Sequence, residues 1–153
     1  MTRPHDDTDG VELLTFRLGA ETFCLDIMSV RELRGWTRPT PLPHAPAYLA
    51  GVINLRGTIL PVIDLAARLG MAPVAAEPRH VIVVVEAAGQ SAGLIVEAVS
   101  DIHTVPRAAL EPPPALSAEG GEACIAALAL VEDRLIRIVD LAALLPTVAA
   151  HAA

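Results

Sequence analysis

An all-β fold made from two copies of one small barrel-forming unit is what this sequence predicts, and three observations lead there. The 153 residues are 53% hydrophobic but only 3% aromatic, so the core has to be built from Val, Ile, Leu and Ala, which suit pleated sheet surfaces. Short apolar runs are separated by Gly, Pro and acidic turn residues at close intervals, the spacing of strands and hairpins rather than of long helices. And the sequence repeats itself: Asp64-Leu65-Ala66-Ala67 returns as Asp140-Leu141-Ala142-Ala143.

Residues 1–10 are polar and acidic, without a hydrophobic segment, and read as a disordered lead rather than a signal peptide. Residues 12–18 read as a strand, 19–22 as a turn and 23–27 as the returning strand of a hairpin. Residues 28–34 follow without a breaker; strand and short helical turn both fit, and spacing leaves the two open. Four prolines within residues 35–46 predict extended connecting chain.

Residues 51–70 are the most informative stretch. Gly57 tolerates positive φ, so Val52-Ile53-Asn54-Leu55 can fold back on Thr58-Ile59-Leu60, with Arg56 projecting from the tip of an oily ribbon. Asp64 is placed to cap a helical turn over residues 65–69, and Gly70 to end it. After a loop over residues 71–79, Val81-Ile82-Val83-Val84-Val85 is a β-branched run of the kind buried on both faces. A second hairpin turns at residues 87–91 into Gly93-Leu94-Ile95-Val96, with Gly89 and Gly93 read as hairpin glycines, and residues 97–102 continue from it.

Residues 106–123, with Pro112-Pro113-Pro114 and Gly120-Gly121, form a long flexible connection. Residues 124–131 and 134–139 then make a hairpin around Glu132-Asp133. Asp140 caps a last helical turn halted by Pro146, and the Ala-rich residues 147–153 read as a frayed tail.

The repeat covers most of these elements. Residues 16–33 match 85–102, and residues 56–67 match 132–143, giving two units of about 70 residues, each ending in an Asp-capped turn. Units of several short strands close naturally as small barrels. Arg56 is where the copies part: its counterpart is Glu132, so the fold of the unit does not require a cation at the tip. Val30-Arg31-Glu32-Leu33 and its partner Val99-Ser100-Asp101-Ile102 each set an acid beside aliphatics. Core packing with a solvated acid and an exposed groove for a partner's helix or sheet edge both fit them.

Composition and motifs exclude several function classes. A net charge of −7 with no basic stripe argues against nucleic acid and anionic membrane as partners. No apolar run reaches the roughly 18 residues of a membrane span. His5, His44, His80, His103 and His151 lack ligand spacing, which argues against a metal site, and the absence of lysine removes a P-loop. Asp64 and Asp140 read as caps rather than as a catalytic carboxylate pair. Cys24 and Cys124, each in an apolar run, read as buried reduced thiols of a cytoplasmic protein. No catalytic constellation and no cofactor is expected; a binding module is.

The stretch Gly51-Val-Ile-Asn-Leu-Arg-Gly-Thr-Ile-Leu-Pro-Val-Ile-Asp-Leu65 resembles the signature of the CheW-like domain, found in bacterial chemotaxis coupling proteins and in the regulatory end of the CheA histidine kinase. The resemblance runs from Leu13 to Leu145. It takes in Asp26-Ile27, Val30-x-Glu32-Leu33-Arg34-Gly35, Val96-Glu97-x-Val99-x-Asp101-Ile102 and Val139-Asp140-Leu141.

It implies two five-stranded, SH3-like barrels on a shared aliphatic core, forming one domain of two interleaved subdomains over residues 11–146. It further implies a non-enzymatic, cytoplasmic adaptor of a two-component signalling system, recruited to receptor arrays. Its partners would be the cytoplasmic tip of a methyl-accepting chemoreceptor and the regulatory domain of a CheA-type kinase. By similarity Val30, Glu32, Leu33, Gly51, Arg56, Val99 and Ile102 line or border the receptor-side groove, and Arg56 also lies near the kinase contact. Ala126-Ala127 stands where the family usually has a glycine, and Trp36 and His103 are not signature residues. The alternative reading is a component of a non-flagellar chemosensory-like cluster that binds the kinase without coupling a receptor.

Overall fold

The computed structural model describes residues 10–72, 77–113 and 124–145. Its strands are β1 (Gly10–Leu18), β2 (Glu21–Asp26), β3 (Val30–Gly35), β4 (Leu49–Leu55), β5 (Thr58–Asp64), β6 (Val81–Ala87), β7 (Gln90–Val96), β8 (Ala98–Pro106), β9 (Ile125–Val131) and β10 (Arg134–Val139). Two one-turn helices, α1 (Leu65–Arg68) and α2 (Leu141–Leu144), follow β5 and β10. Residues 1–9 of the lead expected to be disordered, most of the Pro- and Gly-rich connection and the Ala-rich tail lie outside the described residues. Gly10, assigned from sequence to the lead, already pairs with Pro106 in the sheet.

The strands form two five-stranded sheets, ordered β8-β1-β2-β10-β9 and β3-β6-β7-β5-β4. Each sheet is drawn round on itself by the chain leaving one edge strand. Thr40, beyond β3, exchanges backbone hydrogen bonds of 2.8 and 2.9 Å with Val52 of β4. Glu111, beyond β8, does the same with Leu128 of β9 at 2.8 and 2.7 Å. These bridges satisfy edge groups that would otherwise be unpaired. The two barrels thus close by the same device.

The barrels also mix the two sequence copies. β1 and β2 sit with β8, β9 and β10, while β6 and β7 sit with β3, β4 and β5, so each copy sends its last three strands into the other copy's sheet. The exchange is carried by four pairings between the copies, antiparallel β1 with β8 and β3 with β6, and parallel β2 with β10 and β5 with β7. The all-β, two-barrel expectation therefore holds, with every barrel a composite of both repeats.

Three apolar clusters result. One barrel is filled by Val11, Leu13, Cys24, Val105, Ala129, Ile136 and Ile138, and the other by Ile53, Leu60, Val62, Ile82, Val84 and Ile95. Between them lies a shared cluster that includes Leu14, Phe16, Phe23, Leu25, Ile63, Val83, Val85, Leu94 and Val139. The run Val81–Val85 shows why a two-sided strand was expected. Ile82 and Val84 point into the barrel and Val83 and Val85 into the shared cluster, the period-two alternation of a strand buried on both faces.

Several local expectations need correction. The turns at residues 19–22 and 87–91 contract to Gly19-Ala20 and Ala88-Gly89, because strand pairing continues to Leu18↔Glu21 and Ala87↔Gln90. Gly93 belongs to the hairpin, paired with Val84. It lies mid-strand in β7, where a Cβ would stand 2.8 Å from the Ile82 Cγ2, so the close cross-strand approach selects glycine there. The open stretch 28–34 contains both candidates: a 3-10 turn at Ile27–Ser29, capped by Asp26, and then β3.

The helical turns follow the capping logic. Asp64 accepts from the Ala67 amide at 3.1 Å and Asp140 from the Ala143 amide at 3.2 Å. Cys24 and Cys124 are free and buried, and burial pushes both thiols up from their ordinary pKa.

Candidate partner-binding seam

Strand register sorts the seven candidate groove residues onto different surfaces. Directly opposed residues of an antiparallel pair share a face. Val30 is opposite Val85 and Leu33 opposite Val83, while Val99 is opposite Phe16 and Ile102 opposite Leu14. All four opposing residues belong to the shared cluster between the barrels. The four aliphatics therefore stand on the faces that look toward the shared core, two from each barrel. Val30 and Val99 are half-buried against that core. Leu33 and Ile102 run past its edge and are 48% and 57% exposed. Each of these two edge strands thus sets one half-buried aliphatic against the core and one at its solvent-open rim.

Glu32 lies on the other face of β3. It is opposite Val84, a barrel-interior residue, and a register shift between Val30 and Glu32 accommodates the change. Arg34, opposite Ile82, shares that face. The Glu32 carboxylate is divided between two guanidinium groups: Arg56 Nη2 donates to Oε1 at 2.7 Å and Arg34 Nη1 to Oε2 at 3.2 Å. These bonds, that of Arg56 first and that of Arg34 second, hold the Glu32 carboxyl below its usual range, and Glu32 pushes the Arg56 guanidinium up. Arg56 thus does not project freely from its hairpin, although its side chain is 68% exposed; it folds back across 24 positions onto β3.

The tip itself is built as a two-residue turn with both central residues at positive φ, Arg56 at 51° and Gly57 at 86°. Asn54 Oδ1 accepts the Gly57 amide at 2.8 Å and braces it. The equivalent tip of the second copy, Glu132 and Asp133, has the same handedness at 52° and 65°. A common turn geometry with opposite charge supports the view that Arg56 answers to something other than the fold.

Gly51 presents no side chain to a partner and is fixed by the closure of its barrel. It is buried, at φ 148°, and a Cβ would collide with the Thr40 carbonyl, the group that closes this barrel onto Val52. Its place in the candidate set is that of a backbone spacer.

Two residues escaped the sequence reading. Arg34 is the second ligand of Glu32, and the signal was present in the strand period, since residues two apart in β3 share a face. Ile59, taken as part of the oily ribbon, is 64% exposed beside the Arg56 tip.

The matching family model is the CheW-like domain, over residues 12–149. A protein described as a probable chemotaxis protein CheW from Rhizobium etli is 47% identical over 142 residues, covering 93% of this chain and 92% of that protein. The chemotaxis protein CheW of Rhizobium meliloti is likewise 47% identical, over 145 residues, covering 94% and 92%. Among solved structures, the scaffolding protein TtCheW of Thermoanaerobacter tengcongensis superposes with a TM-score of 0.78 at 36% identity, covering 84% of this chain and 88% of that one. With two composite barrels, a shared aliphatic core and this similarity along nearly its whole length, the chain belongs to the CheW-like domain family, whose members of this kind are chemotaxis scaffold adaptors.

Proposed function

We propose that this chain is a non-enzymatic adaptor that couples the cytoplasmic tips of methyl-accepting chemoreceptors to the regulatory domain of a CheA-type histidine kinase, in arrays at the inner face of the membrane. The observation that supports this reading is that Val30 and Leu33 on one barrel, and Val99 and Ile102 on the other, all stand on the side facing the shared core, with Leu33 and Ile102 open to solvent. Together they would form an apolar seam suited to the ridge of a helical hairpin. The aliphatics supply the burial energy, while Glu32 and Arg56, at 2.7 Å from each other on the adjoining face, supply orientation and specificity. Gly51 keeps the barrel closed beneath them, and Arg56 also borders the kinase contact. No helix among the described residues is long and apolar enough to cross a membrane.

Reconstitution tests this reading. Kinase autophosphorylation is measured with a receptor cytoplasmic fragment and CheA, with and without the purified chain. The expected result is receptor-controlled kinase activity only when the chain is present, lost in Arg56→Glu while its circular dichroism and thermal transition match the parent. Normal coupling by a folded Arg56→Glu variant would overturn it.

A further inference from the structure

We propose that Arg34 is the standing counter-ion of Glu32, keeping this carboxylate neutralised and aimed while Arg56 exchanges it for an acidic group on the partner. The inference rests on the adaptor reading above and adds to it a positioning residue.

The two arginines that share Glu32 are not equivalent. Arg34 comes from the same strand two residues on and is half-buried, with its Nε out of solvent and without a hydrogen-bond partner. Among the described residues its side chain bonds only to Glu32. Arg34 thus has no competing partner among the described residues. Arg56 sits on a hairpin tip, is far more exposed, and reaches Glu32 from another strand pair. Its guanidinium can swing to solvent or to a partner by side-chain rotation alone.

Exchange is favourable only if Glu32 is not stranded when Arg56 leaves. A half-buried carboxylate that loses its one counter-ion keeps the desolvation penalty without the compensating attraction. With Arg34 on Oε2 the remaining pair is neutral and one hydrogen-bonded oxygen stays fixed. The triad carries a net charge of one positive unit, since two guanidinium groups face one carboxylate, and that surplus is what an acidic group on the partner would meet. The other charges nearby on these strands, Arg31 and Glu86, are bonded to each other at 2.8 Å and add no net charge.

Two measurements on the full chain test this. First, the Glu32 side-chain carboxyl is titrated by carbon-detected NMR in Arg56→Gln and in the Arg34→Gln/Arg56→Gln double variant. Glu32 should still titrate below the ordinary glutamate value in the single variant and return to it in the double. Because Arg56 is exposed, the single variant keeps its fold. Second, affinity for a receptor cytoplasmic fragment is measured at low salt. Arg34→Gln should weaken binding about tenfold, the loss expected when a charge-assisted bond goes, and Arg34→Lys should recover most of it. An ordinary titration of Glu32 in Arg56→Gln overturns the assignment, as does parental affinity in a folded Arg34→Gln variant. If the parent itself does not bind the fragment, the adaptor reading fails, while the titration still decides whether Arg34 holds Glu32.

Discussion

Arg68, the last residue of α1, donates from Nε to the carbonyl oxygen of Leu144, the last residue of α2, at 3.1 Å, and its Nη2 reaches the Ala143 carbonyl at 3.2 Å. The two helices hold equivalent places in the two copies, so one residue of the first repeat caps the end of the second. The same guanidinium lies 4.8 Å from the centre of the Tyr48 ring. Terminal carbonyls that the short helix cannot satisfy are thereby paired across the repeat.

Replacing Arg68 by Ala removes the carbonyl contacts and the ring contact together. A loss of about 1–2 kcal/mol is expected from urea unfolding midpoints. Arg68→Lys should recover only part of it, because an ammonium group cannot present the planar fork to two carbonyls. Equal stability of Arg68→Ala and parent would show that the strand exchange alone holds the copies together.

Gly51→Ala is expected to act on the fold rather than on the partner surface. The added methyl meets the Thr40 carbonyl, and the backbone at φ 148° is unfavourable for any other residue. Destabilisation of about 3 kcal/mol or more should follow, with faster amide exchange at Thr40 and Val52, whose bonds close the barrel. A thermally unchanged variant that fails to bind receptor would instead give Gly51 a direct role in the groove.

The Glu32 pairings set an acid limit to stability. The folded carboxyl is held below its ordinary value by Arg56 and Arg34, so its contribution is fully present above the unfolded pKa of about 4.3 and fades as pH falls through the lower folded value. Unfolding midpoints of Glu32→Gln should therefore fall away less steeply than those of the parent at acid pH. Near neutrality the pair is fully ionised, and partner binding should show no dependence on pH from this source.

At the seam, Leu33→Asp combined with Ile102→Asp should leave the fold intact, since both side chains project beyond the core edge. Loss of about 1–3 kcal/mol in affinity for a receptor fragment is expected, read by calorimetry or a pull-down series. The matching control is Leu130→Asp, still more exposed, in β9 near the Glu132-Asp133 turn and away from these four residues. If the control weakens binding as much as the seam variant, the partner seats elsewhere.

Much of this architecture was legible in the residues. Hairpins announce themselves through contiguous turns such as Arg56-Gly57 and Glu132-Asp133, and helix starts through Asp64 and Asp140, because those interactions span only a few residues. Apolar alternation exposed the two-sided strand at Val81–Val85, and self-similarity exposed the pair of copies. That Gly93 sits in a hairpin is legible, but the need for glycine there is not, because it comes from the Ile82 methyl that crowds it across the strand pair. Arg56 and Glu32 both stand out in the sequence as candidates, yet their bond does not, since nothing local links residues 24 positions apart.

By itself, then, the amino-acid sequence determined the strands, their turns, the caps and the doubling of the unit, all products of short-range chemistry and periodic burial. Only the tertiary structure decided that the copies trade their last three strands, that Val30, Leu33, Val99 and Ile102 share the inter-barrel side, and that Glu32 is held between Arg34 and Arg56. Those outcomes depend on register and on pairings between distant strands, and a shift of one residue would send every side chain of a strand to the other face.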